Sequence, residues 1–230
     1  MHQIPLSLVL PSNQEIREFF VTGANQLAYG WIESWPNWPA PYHAVNIHGP
    51  RGCGKSHLGA LYQQKCHVLT LNDLKQFNRD GLNGYDGVLL EGVSYGDNWH
   101  EEALFHFMNY LAETGKSALI TSQMPLSQMP WRLADVSSRM RAIASQNVDM
   151  PDDDLLAALL DDYFTRRQCQ VPEPVLRYIL LRVERSYEAV SAIAHAIDKI
   201  SLAQKRPVTT ALIKPLFENP QQSPEQIEDI

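Results

Sequence analysis

The sequence has few cysteines, no surplus of basic residues and no long apolar run. Its three cysteines, Cys53, Cys66 and Cys169, show no paired spacing, which indicates reduced thiols in a cytoplasmic protein and offers no plausible set of metal ligands. The formal net charge of −7 argues against a protein that grips DNA through its own basic surface. No stretch reaches the roughly 20 apolar residues of a membrane span, and no basic segment precedes the first apolar residues. We therefore expect neither a membrane helix nor a signal peptide.

The most informative stretch that is present matches the phosphate-binding loop motif G-x-x-x-x-G-K-[ST]. A strand-like segment precedes it and a segment with helical apolar spacing follows it, which is the context that the motif requires. Its glycines let the backbone close tightly, so that successive N–H groups point inward and bind phosphate at the start of the helix. Lys55 is predicted to reach the terminal phosphates, and Ser56 to ligate Mg²⁺. The predicted nucleotide-binding residues of this segment are Gly49, Pro50, Arg51, Gly52, Cys53, Gly54, Lys55, Ser56 and His57.

An acidic residue is also expected beside this loop. Residues 85–92 run from apolar residues into Glu91, as in a buried parallel strand that ends at the nucleotide. Glu91 therefore occupies the place of the Walker B acid that holds Mg²⁺, although it can also be read as an ordinary strand-end carboxylate. The next residue is Gly92, which can do neither acid nor base chemistry, so hydrolysis is a separate question from binding.

Five strands alternating with helices are predicted before a purely helical segment. The strands cover 43–48, 67–71, 85–92, 117–121 and 146–150, and a short helix capped by Asn72 is expected from Asp73. The expected fold is α/β, a P-loop core with a five-stranded parallel sheet plus a small C-terminal α-helical domain, which suits a chain of 230 residues. The predicted parts are an N-terminal peptide at 1–11, the core at 12–150, the helical domain at 151–218 and an acidic tail at 219–230.

The N-terminal peptide has the form Q-[LI]-x-L-x-L, and it admits two interpretations. It can be an edge strand that covers the core, which the residue pattern alone favours. It can also be a linear peptide presented to a partner, with alternate side chains filling pockets. The residues in question are Gln3, Ile4, Leu6 and Leu8.

Three arginines, Arg132, Arg139 and Arg141, fall within a predicted helix over 130–143. A cluster of charges is by default a solvated face, and nothing in the spacing selects one arginine for a function.

Taken together, these segments resemble the AAA+ domain of the DnaA replication initiators, and most closely the related Hda regulators. The resemblance covers about residues 3–217 and rests on the order and spacing of several segments. Segment 20–28 looks like the family's adenine-pocket segment, which implies a nucleotide contact from Val21. Ser138-Arg139-Met140 stands where the family has its arginine-finger box, and the helical domain is similar to the family's lid.

The resemblance implies a nucleotide-binding regulator of replication initiation. Such a protein would bind ADP or ATP with Mg²⁺, dock on the β sliding clamp through the N-terminal peptide, and stimulate ATP hydrolysis by DnaA. Arg139 would be the trans-acting finger, Glu91 would serve in a degenerate Walker B, and its own ATPase would be weak. The initiators continue past their lid into a DNA-binding domain, whereas this sequence ends soon after the segment similar to the lid and is acidic. A direct DNA-binding domain is therefore not expected. Homo-oligomerisation stays open.

This sequence departs from the family at the lid residue that touches the nucleotide. The family has a sensor arginine there, whereas the best-aligned position here is Glu188, with Arg185 one turn earlier. Hydrolysis and the choice between ATP and ADP are thereby left open. Other functions compatible with the motif are an autonomous AAA+ ATPase of the DnaA and helicase-loader clade, a small-metabolite P-loop kinase and, least favoured, a direct DNA binder.

Overall fold

A parallel sheet forms the centre of the part of the chain that precedes the C-terminal helices. The computed structural model describes residues 19–75, 78–96 and 99–218. Within them the sheet has five strands in the order β2-β3-β4-β1-β5, and all neighbours pair in parallel. The expected α/β fold is thus confirmed. The strands are β1 Ala44–His48, β2 Val68–Leu71, β3 Gly87–Val93, β4 Ser117–Ser122 and β5 Ala144–Asn147.

Helices cover both faces of this sheet, which is why its central strands are nearly continuous apolar runs. α1 (Gln26–Glu33) and α2 (Lys55–Lys65) bury Ile32, Leu58 and Tyr62 against one face. α3 (Glu101–Thr114) and α4 (Ala134–Ala142) pack on the other face. One stripe of α3 is buried against the sheet, and it comprises Leu104, Phe107, Met108 and Leu111.

Three local predictions were wrong. The short helix from Asp73 is not formed through Lys75, because the Asp73 carboxylate instead accepts the Lys75 N–H at 3.0 Å in a turn. β5 begins two residues and ends three residues earlier than predicted, since its partner β1 sets its register and pairs Val45 with Ala144. Arg132 lies before α4 and not within it. The segment that leads into this helix is held by the Glu101 carboxylate, which accepts the N–H groups of Arg132 and Leu133 at 3.0 and 2.7 Å.

One buried polar side chain ties the centre of the sheet together. Asn46 of β1 is fully buried and donates to the Ile120 carbonyl at 3.1 Å and to Ser122 Oγ at 2.9 Å. Its carbonyl oxygen accepts from Leu126 N and Ser145 Oγ. All the hydrogen-bonding capacity of this amide is therefore used to hold β1, β4 and β5 at the edge where the loops emerge.

The C-terminal helices pack around a core of their own. They are α5 Asp153–Arg166, α6 Glu173–Leu180, α7 Tyr187–Gln204 and α8 Thr210–Glu218. Asp152 and Ser186 begin α5 and α7 by accepting the N–H groups of Leu155 and Ala189, at 2.8 and 3.1 Å. Among the described residues, no helix is both long and apolar enough to cross a membrane.

Candidate nucleotide-binding site

The loop between β1 and α2 has the geometry that its motif predicts. It returns close to the sheet and to the helical domain, and its three glycines have no room for a side chain, as Gly49 and Gly54 illustrate. A Cβ on Gly49 would lie 2.2 Å from the Val148 carbonyl oxygen. At Gly54, where φ is +100°, a Cβ would lie 2.6 Å from the Tyr187 ring. Glycine is required at both positions by these approaches, and at Gly54 also by the left-handed backbone.

The lysine of the motif is folded into this loop. Lys55 Nζ donates to the carbonyl oxygens of Gly49 and Pro50 at 2.8 and 2.7 Å, and it lies 3.6 Å from Cys53 Sγ. The loop thus holds a positive charge at its centre, where an anion would meet both the ammonium group and the positive end of α2.

A cleft of about 740 Å³ opens above the loop at the carboxyl ends of the strands. Parallel α/β sheets bind ligands at this edge. The cleft joins the loop to β3, to β4 and to the first turn of α7. Its lining residues are Arg51, Gly52, Gly54, Lys55, Ser56, His57, Glu91, Gly92, Val93, Ser94, Tyr95, Thr121, Ser122, Gln123, Met124, Met129, Tyr187 and Glu188.

The structure brings most, but not all, of the predicted binding residues to this cleft. Arg51, Gly52, Gly54–His57 and Glu91 line it. The others lie outside the lining. Gly49 and Cys53 belong to the loop but are buried, and Pro50 is exposed. Val21 is 44% exposed on the segment before α1.

The segment around Val21 is nevertheless connected to the site. The Asn25 side chain accepts the Thr22 N–H and donates to the Phe20 carbonyl, both at 2.9 Å. The same side chain lies beside the Tyr187 hydroxyl at the cleft wall. Segment 20–25 therefore lies next to the first turn of α7, although the structure leaves the role predicted for Val21 untested.

A bulge in β3 sets the position of the acidic residue. Leu90 pairs with Ile120 but Val93 pairs with Ser122, so Glu91 and Gly92 together stand opposite a single residue of β4. Gly92 takes the left-handed backbone, with φ +71°, and its N–H donates to Thr121 Oγ1 at 2.9 Å. Such a bulge re-aims the side chains around it. Glu91 lies in the cleft wall, followed by a residue without a side chain.

Glu91 and Ser56 are suitable ligands for magnesium. Both line the cleft and offer oxygen atoms, which Mg²⁺ prefers. No group of three or more His, Cys, Asp or Glu side chains able to hold a metal occurs among the described residues. Mg²⁺ at phosphate sites is usually bound by one or two protein oxygens together with phosphate and water.

Sequence patterns did not reveal the residue that joins the helical domain to the loop. Tyr187, the first residue of α7, is buried, and its ring stacks on His57 at 4.7 Å between centroids. Its N–H donates to the Gly52 carbonyl at 3.4 Å. Burial raises the pKa of the Tyr187 hydroxyl to about 12, which keeps it protonated.

The three arginines of the α4 region differ in their surroundings. The guanidinium of Arg139 lies 4.4 Å from the ring centroid of Phe105 and 6.0 Å from that of Tyr42. Arg139 is half-buried, whereas Arg132 and Arg141 are exposed. Arg139 does not line this chain's own cleft. Its charge is therefore held on an outer face by two aromatic rings.

A helical domain that covers a P-loop at the edge of this five-stranded sheet defines an AAA+ protein. Residues 152–217 match the family model described as Hda, lid domain. DnaA of Clavibacter sepedonicus is 23% identical over 87% of this chain and 47% of its own length. The chain thus spans about half the length of the curated relatives it matches.

Solved structures show the same fold. Domain III of Thermotoga maritima DnaA superposes with a TM-score of 0.71 at 20% identity, covering 87% of this chain and 94% of that one. AMPPCP-bound DnaA from Aquifex aeolicus gives 0.63 at 19% identity, covering 78% and 63%. With the lid match and the DnaA similarity, the chain is a DnaA-related, Hda-like AAA+ protein. We call its helical domain the lid from here on.

Proposed function

We propose that this protein binds ADP or ATP with Mg²⁺ in the cleft and regulates replication initiation by acting on DnaA. The observation that carries the nucleotide proposal is the convergence of Lys55, Ser56 and Glu91 on one cleft at the carboxyl edge of the sheet. The solved DnaA relative that carries AMPPCP supports it. Ser56 and Glu91 would hold the metal, which would neutralise part of the phosphate charge.

The protein's own hydrolysis should be slow. Attack on the terminal phosphate requires a group that orients water, and the residue after Glu91 is Gly92 on the β3 bulge. A binding site without that group suits a regulator better than a motor. If the purified chain instead turned over ATP at about 1 s⁻¹ or faster, it would be an autonomous ATPase.

Arg139 is the residue we propose to act on DnaA. A guanidinium is always charged and presents a planar fork of donors, so it can stabilise charge that develops on a neighbour's phosphoryl oxygens. Its position outside the cleft of its own chain, on the rings of Phe105 and Tyr42, suits action in trans. Packing against two rings would also restrict the Arg139 side chain before docking, so that less conformational entropy is lost when it docks.

The test is single-turnover ATP hydrolysis by DnaA, with and without this protein. Arg139→Ala should leave nucleotide affinity unchanged and reduce the stimulated rate by roughly 10³-fold, or to the unstimulated level. Arg132→Ala and Arg141→Ala are matched controls, because both residues are exposed arginines of the same region. Should all three variants stimulate normally, the trans mechanism would lose its support. If Arg132→Ala or Arg141→Ala lost stimulation while Arg139→Ala did not, the arginine that acts on DnaA would be a residue other than Arg139.

Nucleotide binding is tested separately through Lys55. Lys55→Ala removes the ammonium at the centre of the loop, and we expect calorimetry to show a loss of about 2 kcal/mol or more in ADP affinity. Unchanged ADP affinity would contradict the assignment of the cleft.

Docking on the sliding clamp is proposed from the sequence alone, since Gln3, Ile4, Leu6 and Leu8 lie outside the described residues. Gln3 would hydrogen-bond at the rim of a clamp pocket, and the aliphatic side chains would anchor in it. The double variant Gln3→Ala, Leu6→Ala should abolish clamp pull-down without changing the melting temperature. A large drop in melting temperature would favour the edge strand instead.

A further inference from the structure

The helix that carries Arg139 begins without a cap of its own. The first N–H groups of any helix need acceptors from outside it, and a Ser, Thr, Asp or Asn side chain at the N-cap usually supplies one. The N-cap of α4 is Leu133, whose aliphatic side chain cannot accept a hydrogen bond. The place at which α4 starts is therefore fixed by another part of the molecule.

A carboxylate of α3 holds this start. The two oxygens of Glu101 accept separate backbone N–H groups, Oε1 from Arg132 at 3.0 Å and Oε2 from Leu133 at 2.7 Å. Hydrogen bonds to a charged acceptor are roughly twice as strong as those between neutral groups. Because both oxygens bind successive residues, the carboxylate fixes the direction as well as the position of the chain that enters α4.

The same face of α3 also contacts Arg139 directly. Phe105 follows Glu101 by four residues, so the two side chains lie on one face of the helix. The ring centroid of Phe105 lies 4.4 Å from Arg139 Cζ, and Val136 and Met140 bury the inner face of α4 in the core. α4 is thus held on α3 at its start and again at its arginine, which lies about 9 Å further along the helix axis.

The neighbouring acid shows that Glu101 does more than place a favourable charge at a helix end. Glu101 and Glu102 both stand in the first turn of α3, where negative charge stabilises any helix. Glu102 is exposed, whereas Glu101 is partly buried and bonded to the start of α4. The helix dipole therefore explains an acid in this turn, and the two backbone bonds explain Glu101 in particular.

We infer that Glu101 is a positioning residue that sets the direction in which α4 presents Arg139 to DnaA. This inference rests on the proposed action of Arg139 and adds the residue that orients it. Glu101 does not line the nucleotide cleft, so its contribution passes through α4. Glutamine at this position keeps the shape but has one acceptor oxygen and a donating NH₂ group. Glu101→Gln therefore loses one of the two bonds, and the start of α4 shifts.

The first experiment measures the position of Arg139 without DnaA, by nuclear magnetic resonance of the isotope-labelled protein. The Nε–H resonance of Arg139 is assigned by its absence in Arg139→Ala. The ring current of Phe105 displaces it from the resonances of exposed arginines such as Arg141. Glu101→Gln should move this resonance toward the exposed ones. Glu102→Gln, the matched control from the same turn, should leave it in place.

The second experiment measures single-turnover ATP hydrolysis by DnaA over a range of concentrations of this protein. Glu101→Gln should lower the plateau rate by roughly tenfold, because a misplacement of about 1 Å can cost up to about 10²-fold. The half-saturating concentration and the ADP affinity should stay unchanged, which a general loss of folding would not allow. Glu102→Gln should give the wild-type plateau. If Glu101→Gln does not fold, Glu101→Asp takes its place, because it keeps the charge and shortens the reach by one methylene.

The results separate this inference from the proposed function. An unmoved Arg139 resonance, or a wild-type plateau rate, in the folded Glu101 variant would overturn the inference. An increase in the half-saturating concentration alone would make Glu101 a docking residue and would overturn it as well. If Arg139→Ala stimulated DnaA as well as the wild type, the proposed function would fail, whereas the resonance of Arg139 would still show whether Glu101 orients it.

Discussion

The packing of Tyr187 predicts that one side chain couples the lid to the nucleotide core. Its ring is 7% exposed, stacks on His57 and fills the space over Gly54 that any Cβ there would occupy. Replacing a buried aromatic ring by alanine usually costs about 3–5 kcal/mol. The Tyr187 ring borders the cleft, and water can refill part of the space, so we expect Tyr187→Ala to lower the free energy of unfolding by about 3 kcal/mol.

Two probes can follow the two halves of the molecule separately. All five tryptophans lie at or before residue 131, so their fluorescence reports the core, whereas far-ultraviolet circular dichroism also includes the all-helical lid. In urea, the wild-type transitions should coincide. In Tyr187→Ala they should separate, because the lid loses its main contact with the loop.

Two further variants make this test specific. Tyr187→Phe keeps the ring and loses only the buried hydroxyl beside Asn25, so it should cost about 1 kcal/mol or less and keep the transitions together. Tyr178→Ala removes a lid tyrosine that packs on Phe217 instead of the loop. It should destabilise the lid without weakening ADP binding, whereas Tyr187→Ala should weaken it. Coincident transitions and a loss below about 1 kcal/mol in Tyr187→Ala would refute the coupling argument.

Two other predictions concern the cleft and its edge. Gly92→Asp should raise the rate of single-turnover ATP hydrolysis relative to Gly92→Ala, because only the first variant adds a carboxylate that could orient water. The two variants are otherwise matched: no atom lies within 4 Å of the added Cβ, and both carry the same backbone strain of about 1 kcal/mol at φ +71°. Equal rates would show that a carboxylate there cannot reach the attacking water. Burial, and then the charge of Lys55, lower the pKa of His48 from its ordinary 6.5, so the unfolded state binds the proton more readily. The stability that the neutral His48 contributes is present above pH 6.5 and is lost as pH falls below it. In urea titrations, His48→Gln should therefore lose less free energy of unfolding than the wild type between pH 7.5 and pH 5.5. Equal losses in the two proteins would contradict the lowered pKa of His48.

Local patterns predicted the phosphate loop and the strands well, because their signals are short-range. The loop motif specifies a turn, and its strand and helix lie directly before and after it in the sequence. Apolar runs likewise identified β1, β3 and β4, since strands covered on both faces are apolar throughout.

Features that depend on register or on distant packing could not be predicted in this way. The β3 bulge at Glu91 and Gly92 arises from the pairing with β4, which no local pattern encodes. The sequence also gave no reason to prefer Arg139 over the two exposed arginines, because its partners Phe105 and Tyr42 lie 34 and 97 residues away along the chain. Only the family resemblance selected Arg139.

Two consecutive lid residues contact the phosphate loop, and the next residue lines the cleft above it. Ser186 lies against Gly52, where an added Cβ would approach its own Cβ to 2.7 Å, Tyr187 lies against Gly54, and Glu188 lines the cleft. The three belong to the start of one helix, so a displacement of α7 that moved Glu188 would also break the contacts of Tyr187. A ligand bound in the cleft would therefore meet the same turn that attaches the lid, and it could shift the lid only by its difference in affinity for the two arrangements.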